Sequence, residues 1–222
     1  MEYTLKVLSV APVTHDVHRI RLEKPEGFSF TPGHVADVSV NKPGWVNEKR
    51  PFTFTALNSE PYVEFTIKCY TDHDGVTKQI GQLQAGDELI VSDSWGAIEY
   101  KGEGYFIAGG AGITPFIAIF RQLHKDNKIG NNKLFFSNKT AADIIYEEEL
   151  KQLLGNNAIY IVTKESDPGY RHDYINEAFL QKEVTDFVNS PFYICGPDAM
   201  TAAITDILVK NGASADTVVF EK

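Results

Sequence analysis

The sequence predicts an antiparallel β-barrel domain over residues 1–100, followed by an α/β domain with a parallel sheet over residues 101–222. The first half consists of short alternating or β-branched runs separated by turn residues, which is typical of an antiparallel barrel or sandwich. From Gly104 onward, buried-strand runs alternate with helix-like stretches, which indicates a parallel sheet with helices on both faces. A chain of 222 residues is long enough for two such domains.

Turn residues divide the first half into six predicted strands. Thr31-Pro32-Gly33 and Ala85-Gly86-Asp87 are examples, because proline and glycine favour a reversal of the chain. We predict strands over residues 3–10, 17–22, 35–40, 51–56, 62–70 and 88–91, with a short helix near residues 78–83.

The second half predicts five strands and four helices. The strands cover residues 105–108, 133–137, 158–163, 192–195 and 217–220, and the helices cover residues 115–125, 146–154, 174–182 and 198–211. Asp173 is a predicted helix N-cap, and Gly212 is a predicted helix stop. Residues 101–104 form the predicted hinge between the domains.

The composition excludes several classes of function. A formal net charge of −9 disfavours nucleic acid or an anionic membrane as the main partner, because both require a positive field. Two cysteines are too few for a four-cysteine iron–sulfur cluster or structural zinc site, and the six histidines show no metal-ligand spacing. The chain has no apolar run near the roughly 20 residues of a membrane span and no secretory signal. We therefore expect a cytoplasmic protein, a monomer, with no metal site.

A glycine-rich turn is the first motif that carries chemistry. A buried strand runs into Gly109-Gly110-Ala111-Gly112-Ile113 and then into a predicted helix with Thr114 as N-cap and Pro115 at its first position. Glycines allow close approach to a pyrophosphate, and a helix N-terminus presents free N–H groups and a positive dipole. Pro115 replaces the third glycine of the Rossmann fingerprint, and a tight turn in any α/β protein is the alternative interpretation.

Three further motifs are individually weak. Arg50-Pro51-Phe52-Thr53 combines a guanidinium that can bind phosphate, an aromatic ring that can stack on a flat ring system, and a hydroxyl that can hydrogen-bond a ring nitrogen. Asp74-Gly75-Val76-Thr77 is a glycine turn before a helix, again suited to phosphate. Tyr193-Ile194-Cys195-Gly196-Pro197-Asp198-Ala199-Met200 combines the end of a strand, a thiol, a tight turn and the start of a helix. Read separately, they also fit an edge strand, an ordinary turn and a buried cysteine.

Taken together and in this order, the four motifs resemble the ferredoxin–NADP reductase superfamily, and the resemblance covers essentially the whole chain. The resemblance implies a flavoprotein that uses FAD and NAD(P)H, with a barrel that binds FAD and an α/β domain that binds NAD(P). It implies flavin contacts from Arg50, Pro51, Phe52, Thr53, Thr66, Ile67, Lys68, Gly75, Val76 and Thr77. It implies nicotinamide-dinucleotide contacts from Gly110, Ala111, Gly112, Ile113, Thr114, Pro115, Cys195, Gly196, Pro197 and Asp198.

The same resemblance implies the catalytic roles. Thr53 would hydrogen-bond the flavin nitrogen that takes the hydride, Cys195 would lie beside the reacting nicotinamide carbon, and Glu221 would relay a proton or order water. Phe52 stands where tyrosine is usual, so stacking remains and a hydroxyl is lost. Residues 219–222 resemble the family's C-terminal pattern, in which a following aromatic residue covers the outer face of the flavin. The resemblance stops just before that aromatic residue.

The implied activity is transfer of reducing equivalents from NAD(P)H through FAD to an electron-carrier protein, such as a flavodoxin or ferredoxin, or to a small acceptor. Coenzyme choice is expected at Ser137, Asn138 and Lys139, after the second strand of the α/β domain, with Arg171 as a distant helper and a slight preference for NADH. A basic rim of Lys42, Lys49, Arg50, Lys68 and Lys78 is the expected docking face for an acidic carrier. A free-flavin reductase, a non-catalytic electron-transfer subunit and a nucleotide-binding regulator are the alternatives.

Overall fold

The computed structural model describes residues 1–72, 74–96, 98–214 and 217–220, and the first sheet is antiparallel throughout. Its strands are β1 (Glu2–Pro12), β2 (Val17–Glu23), β3 (Val35–Val40), β4 (Arg50–Thr53), β5 (Tyr62–Lys68) and β6 (Glu88–Ser92). They pair in the order β4-β3-β6-β1-β2-β5. A bridge between Phe54 and Phe65 brings β4 beside β5, so that the sheet nearly closes into a barrel.

Aromatic side chains fill the barrel. The rings of Phe30 and Phe54 stack with centroids 4.3 Å apart, and Phe65 lies 4.9 Å from Phe54. All three rings are buried in the barrel core. A short helix, α1 (Val76–Ile80), follows β5 and buries Val76 and Ile80 against the same core.

The second sheet is parallel. Its strands are β7 (Tyr105–Gly109), β8 (Lys133–Asn138), β9 (Ala158–Val162), β10 (Arg171–His172), β11 (Phe192–Cys195) and β12 (Val218–Phe220). They pair in the order β10-β9-β8-β7-β11-β12. The chain moves from β7 to β8 on one side and returns to β11 on the other, which places a topological switch point between β7 and β11.

Helices cover both faces of this sheet. α2 (Thr114–Lys125) and α3 (Glu147–Leu154) pack on one face, and α4 (Glu177–Glu183) and α5 (Asp198–Lys210) pack on the other. The two helix layers bury separate apolar clusters, as a doubly wound sheet requires. The predicted fold class is therefore confirmed, and Gly212, with φ of 108°, follows the end of α5 as predicted.

Two predicted N-caps are wrong. Asn176 caps α4, because its side-chain oxygen accepts a hydrogen bond from the amide of Phe179, whereas Asp173 accepts from the amide of the adjacent Tyr174. Thr114 is the first residue of α2 rather than its cap. The chain is already helical at Ile113, after a 3₁₀ turn over Gly110–Ile113, so no extended N-cap residue precedes the helix.

Smaller differences concern the ends of elements. α1 begins at Val76, two residues before the predicted start, and β4 ends at Thr53 rather than at residue 56. The short strand β10 is absent from the sequence prediction. In the described part of the chain, no helix combines the length and the apolar composition needed to cross a bilayer.

Candidate functional site

A cleft of about 610 Å³ opens between the two domains. Its floor is formed by the carboxyl ends of β7, β8 and β11, at the switch point of the parallel sheet. Val17, Lys68 and Tyr70 of the barrel complete its wall. Ligands bind open α/β sheets at such switch points, so the cleft is the candidate functional site.

Two backbone turns meet at the centre of the cleft. A Cβ atom on Gly112 would overlap the carbonyl group of Cys195 and lie 2.7 Å from the amide nitrogen of Gly196. A Cβ atom on Gly109 would lie 2.9 Å from the ring of Pro197. These glycines are therefore required by packing between the glycine-rich turn and the Cys-Gly-Pro turn, a reason that the sequence analysis did not identify.

Gly110 differs from its neighbours. Its φ is 54°, a left-handed conformation that favours glycine, and a Cβ atom there would meet nothing within 4 Å. Gly110, Ala111 and Thr114 line the cleft. The hydroxyl of Thr114 donates to the carbonyl oxygen of Ala111 at 3.0 Å, and the backbone N–H of Thr114 donates to the same oxygen. This wall of the cleft thus offers open space at Gly110 and the positive end of the α2 dipole, which fit a pyrophosphate.

Asn138, at the end of β8, carries orphaned polar atoms. The residue lines the cleft and is 5% exposed, and neither its side-chain nitrogen nor its side-chain oxygen has a partner among the described residues. Unpaired buried amide groups are costly, so they point to a ligand or to water that pairs with them. Ser137 and the exposed Lys139 flank Asn138 along the same wall.

Cys195 lies at the end of β11 and is 8% exposed at the cleft. Gly196 and Pro197 line the cleft beside it, and Asp198 is an exposed residue in the first turn of α5. Cys69 does not line the cleft, and burial raises the pKa of its thiol to about 11. The structure therefore places Cys195, and not Cys69, at the candidate site.

The Arg-Pro-Phe-Thr motif forms β4, outside the walls of this cleft. Arg50 and Pro51 are exposed, and Phe52 is half-buried against the barrel core. Arg50 donates to the carbonyl oxygen of Lys49 at 2.7 Å. Thr53 is buried, and its hydroxyl has no hydrogen-bond partner among the described residues. The motif is thus available to a ligand on the barrel, beside the cleft rather than in it.

The closure of the barrel brings β4 next to β5, which carries Thr66, Ile67 and Lys68. Ile67 is buried in the barrel core, whereas Lys68 reaches the cleft. The Lys68 ammonium lies 2.8 Å from a carboxylate oxygen of Asp16. Burial would lower the pKa of Lys68, and the carboxylate of Asp16 outweighs that effect and raises it, so Lys68 holds a positive charge at the cleft.

The remaining predicted residues have separate positions. Gly75 is the N-cap of α1, and Val76 and Thr77 are its first two residues. Ile113 and Pro115 are buried under the glycine-rich turn. Arg171 is committed elsewhere, since its guanidinium pairs with Glu183 at 2.8 Å. Glu221 lies outside the described residues.

Sequence reasoning missed several residues of the cleft wall. Val17, Tyr70, Asp143 and Thr163 line it without belonging to any recognised motif, whereas Met200 is the last residue of the fourth motif. Tyr70 follows β5 by two residues, so proximity to a motif was the available signal. Asp143 and Thr163 carry no such signal, because only the pairing of β8 with β9 brings their segments to the cleft.

The barrel, the doubly wound sheet and the cleft between them define the two-domain class of flavin- and dinucleotide-binding folds. Residues 106–206 match the family model of the oxidoreductase NAD-binding domain. The structure of a ferredoxin NADP+ reductase from Neisseria gonorrhoeae with bound FAD and NADP superposes with a TM-score of 0.87 at 17% identity, covering 99% of this chain and 98% of that one. The chain therefore has the two-domain fold of that structure, and its residues 106–206 match the oxidoreductase NAD-binding domain.

Two curated relatives are reductase components of propane 2-monooxygenase. The chain is 26% identical to that of Rhodococcus jostii (strain RHA1) and 28% identical to that of Mycolicibacterium goodii, over 98% and 97% of its own length. It spans 62% and 66% of the length of these two relatives. The recognition made from the four motifs is confirmed.

Proposed function

We propose that this chain is a flavoprotein oxidoreductase module that passes reducing equivalents from NAD(P)H through FAD to an acceptor. The observation that carries the proposal is the interdomain cleft. The glycine-rich turn, the Cys-Gly-Pro turn and the end of β5 converge there, so the proposed sites for the two cofactors adjoin one another.

The nicotinamide dinucleotide would occupy the cleft. The open space at Gly110 and the positive dipole at the start of α2 fit its pyrophosphate. The unpaired amide of Asn138 and the ammonium of Lys139 would contact its adenosine ribose. The family's contacts at Ala111, Gly112, Ile113, Thr114, Pro115, Ser137, Cys195, Gly196, Pro197 and Asp198 belong to the same proposal.

The flavin would lie along β4 and β5. Phe52 offers a half-buried ring for stacking, and the Thr53 hydroxyl is unpaired within the described part of the chain. Arg50 offers an exposed guanidinium, and the first amides of α1 have no partner within the helix. These features fit a planar ring system that carries phosphates.

Bound FAD would supply the redox chemistry, which is uptake of a hydride from reduced nicotinamide and release of electrons to an acceptor. The chain itself would orient the rings. Thr53 would donate a hydrogen bond from its Oγ1, and Cys195 would close the cleft beside the nicotinamide. Glu221, which the structure does not describe, is kept as the proposed proton relay on the resemblance alone.

The acceptor would be a redox protein or a small molecule. Named relatives are reductase components of a monooxygenase, which supports a protein acceptor. The expected basic rim is weaker than its sequence suggested, because four of its lysines face carboxylates. Lys42 lies 3.7 Å from Asp87, Lys68 lies 2.8 Å from Asp16, Lys78 lies 3.8 Å from Asp74, and Lys49 pairs with Glu2.

The domain boundary, the cellular location and the oligomeric state belong to the same proposal. The domain boundary at residues 100/101 falls in the connection between β6 and β7. A cytoplasmic location agrees with two cysteines that form no disulfide. The chain would act as a monomer, as the sequence analysis expects.

The test is anaerobic reduction of the flavin-loaded chain. The purified chain is incubated with FAD, passed through gel filtration, and mixed with NADH or NADPH while the flavin absorbance is followed. We expect the flavin to remain bound through gel filtration, and its absorbance to fall after mixing with the coenzyme because the flavin is reduced. Turnover that requires added free flavin would instead identify a free-flavin reductase, and no bleaching by either coenzyme would contradict the proposal.

A further inference from the structure

Glu64 is the centre of an ion cluster that joins the two domains. This carboxylate on β5 is only 1% exposed. It accepts hydrogen bonds from Arg21 of the barrel at 2.9 Å and from Arg121 of the α/β domain at 2.9 Å. Thr55 donates to the same carboxylate at 3.1 Å. We call Arg21, Thr55, Glu64, Arg121 and Glu149 the interdomain cluster.

Arg121 makes contacts through each of its guanidinium nitrogens. Nε and Nη2 donate to the two carboxylate oxygens of Glu149 at 2.6 and 2.8 Å. Nη1 donates to Glu64 and, at 2.6 Å, to the carbonyl oxygen of Thr55. Burial alone would lower the pKa of Arg121, but Glu149 and Glu64 raise it, so the guanidinium stays charged. The planar fork therefore has a single orientation relative to both domains.

A second contact lies next to the cluster. The hydroxyl groups of Thr66 on β5 and Tyr146, the N-cap of α3, are 3.0 Å apart. The Tyr146 ring lies under the guanidinium of Arg121, with the Cζ atom 5.2 Å from the ring centroid. Tyr146 has a left-handed backbone with φ of 53°, an uncommon conformation for a bulky residue, and the contacts of its side chain maintain it.

The elements that carry the cluster also carry the cofactor motifs. Glu64, Thr66 and Lys68 alternate along β5 and face the α/β domain, and Lys68 reaches the cleft. α2 begins at Thr114 in the cleft wall and reaches Arg121 seven residues later, about 10 Å along a rigid helix. The contact between Arg121 and Glu64 thus sets the position of the glycine-rich turn relative to β5, along which the flavin is proposed to lie.

We propose that Arg121, Glu64 and Glu149 are positioning residues that set the orientation of the α/β domain, and with it the alignment of nicotinamide and flavin. This inference rests on the proposed function. Buried ion pairs contribute little net stability compared with apolar packing of the same volume. Their directional contacts instead specify one arrangement, and hydride transfer is sensitive to displacements of about 1 Å.

The test compares three single variants of the flavin-loaded full chain. Arg121→Lys keeps the positive charge and removes the planar guanidinium. Glu149→Gln removes one negative charge at a partly exposed position, where a substitution disturbs folding less than at the buried Glu64. Lys125→Gln is the matched control. Lys125 lies one turn further along α2, and it contacts the barrel through an exposed hydrogen bond to Ser59 at 2.6 Å. Residual dipolar couplings of backbone amides then report the relative orientation of the two domains.

Two reductions separate positioning from folding. NADH requires alignment of the two rings, whereas dithionite reduces the flavin without the α/β domain. In Arg121→Lys and Glu149→Gln we expect a changed domain orientation and reduction by NADH slowed about tenfold or more. Reduction by dithionite should stay within about twofold of the unmodified chain, and Lys125→Gln should match that chain in every measurement.

An unchanged orientation, or reduction by NADH within about twofold in both folded variants, overturns the inference while the proposed function stands. If neither coenzyme reduces the flavin of the unmodified chain, the proposed function fails and the inference fails with it.

Discussion

Gly112 and Cys195 lie so close together that their backbones leave no room for a β-carbon. A Cβ atom on Gly112 would lie 2.3 Å from the carbonyl oxygen of Cys195 and 2.7 Å from the amide nitrogen of Gly196. The glycine-rich turn and the Cys-Gly-Pro turn are therefore packed backbone on backbone.

The first prediction concerns this contact. Gly112→Ala should separate the two turns and lower kcat/KM for NADH more than tenfold, because backbone atoms must shift to admit the methyl group. Gly155→Ala, at the end of α3 and outside the cleft lining, is the control for loss of a glycine, because its φ is also 54°. Its methyl group would point into open space, so it carries only a left-handed strain of about 1–2 kcal/mol. Equal effects of the two substitutions on NADH kinetics would contradict the packing interpretation.

The second prediction concerns flavin affinity. Arg50→Ala removes an exposed guanidinium from β4 and should weaken FAD binding more than tenfold, since charge-assisted contacts to phosphate are stronger than neutral ones. The dissociation constant is measured by titrating apoprotein with FAD. Lys49→Ala, on the preceding residue, is the matched control, because Lys49 pairs with Glu2. An unchanged dissociation constant for Arg50→Ala would remove Arg50 from the proposed flavin site.

The fold was predictable because its signals are local. Alternation, turn residues and the change of period at Gly104 predicted the barrel and the doubly wound sheet. The glycine-rich turn and the Cys-Gly-Pro turn were recognised from sequence, and both line the cleft. Their mutual packing was not predictable, since it depends on the parallel pairing of β7 with β11.

The interdomain cluster had no signal in the sequence at all. Glu64, Arg121 and Glu149 are ordinary charged residues on a strand and two helices, separated by 57 and 28 positions. Only the docking of two independently predicted domains brings them together. Likewise, the pairing of Lys42 with Asp87 and of Lys68 with Asp16 could not be read from a count of charges.

The third prediction concerns the two thiols, which are equally buried and should differ in reactivity. Burial raises the pKa of Cys69 to about 11, so only about one thiol in a thousand is ionised at pH 8 and alkylation by iodoacetamide should be slow. Its rate should rise about tenfold for each pH unit below 11. Cys195 lines the cleft and should react first, with NAD+ protecting it. Mass spectrometry of peptides decides, and faster modification of Cys69 at pH 8 would contradict the prediction.

The fourth prediction concerns coenzyme choice. Lys139 is exposed at the cleft, but Asp143 lines the same wall and Glu165 accepts a hydrogen bond from the amide of Ala141 beside it. Because these carboxylates oppose an additional phosphate, we expect a preference for NADH of less than about a hundredfold, or roughly 2.7 kcal/mol. Lys139→Ala should lower kcat/KM for NADPH more than for NADH. Lys164→Ala, an exposed lysine of the next segment, is the control, and a larger preference for either coenzyme would refute the prediction.

The last prediction concerns docking of an acidic electron carrier. Long-range attraction depends on the net field of a surface, and the lysines of the expected rim are largely offset by Glu2, Asp16, Asp74 and Asp87.

Reduction of a ferredoxin or flavodoxin should therefore vary by less than about threefold between low salt and ~0.15 M, where screening confines attraction between exposed charges to roughly 8 Å. The double substitution Lys42→Glu/Lys49→Glu should slow transfer only slightly, and ferricyanide reduction is the control because it needs no protein docking. Fast transfer that collapses with salt or in the double variant would mean that the lysines leave their carboxylate partners when the carrier binds.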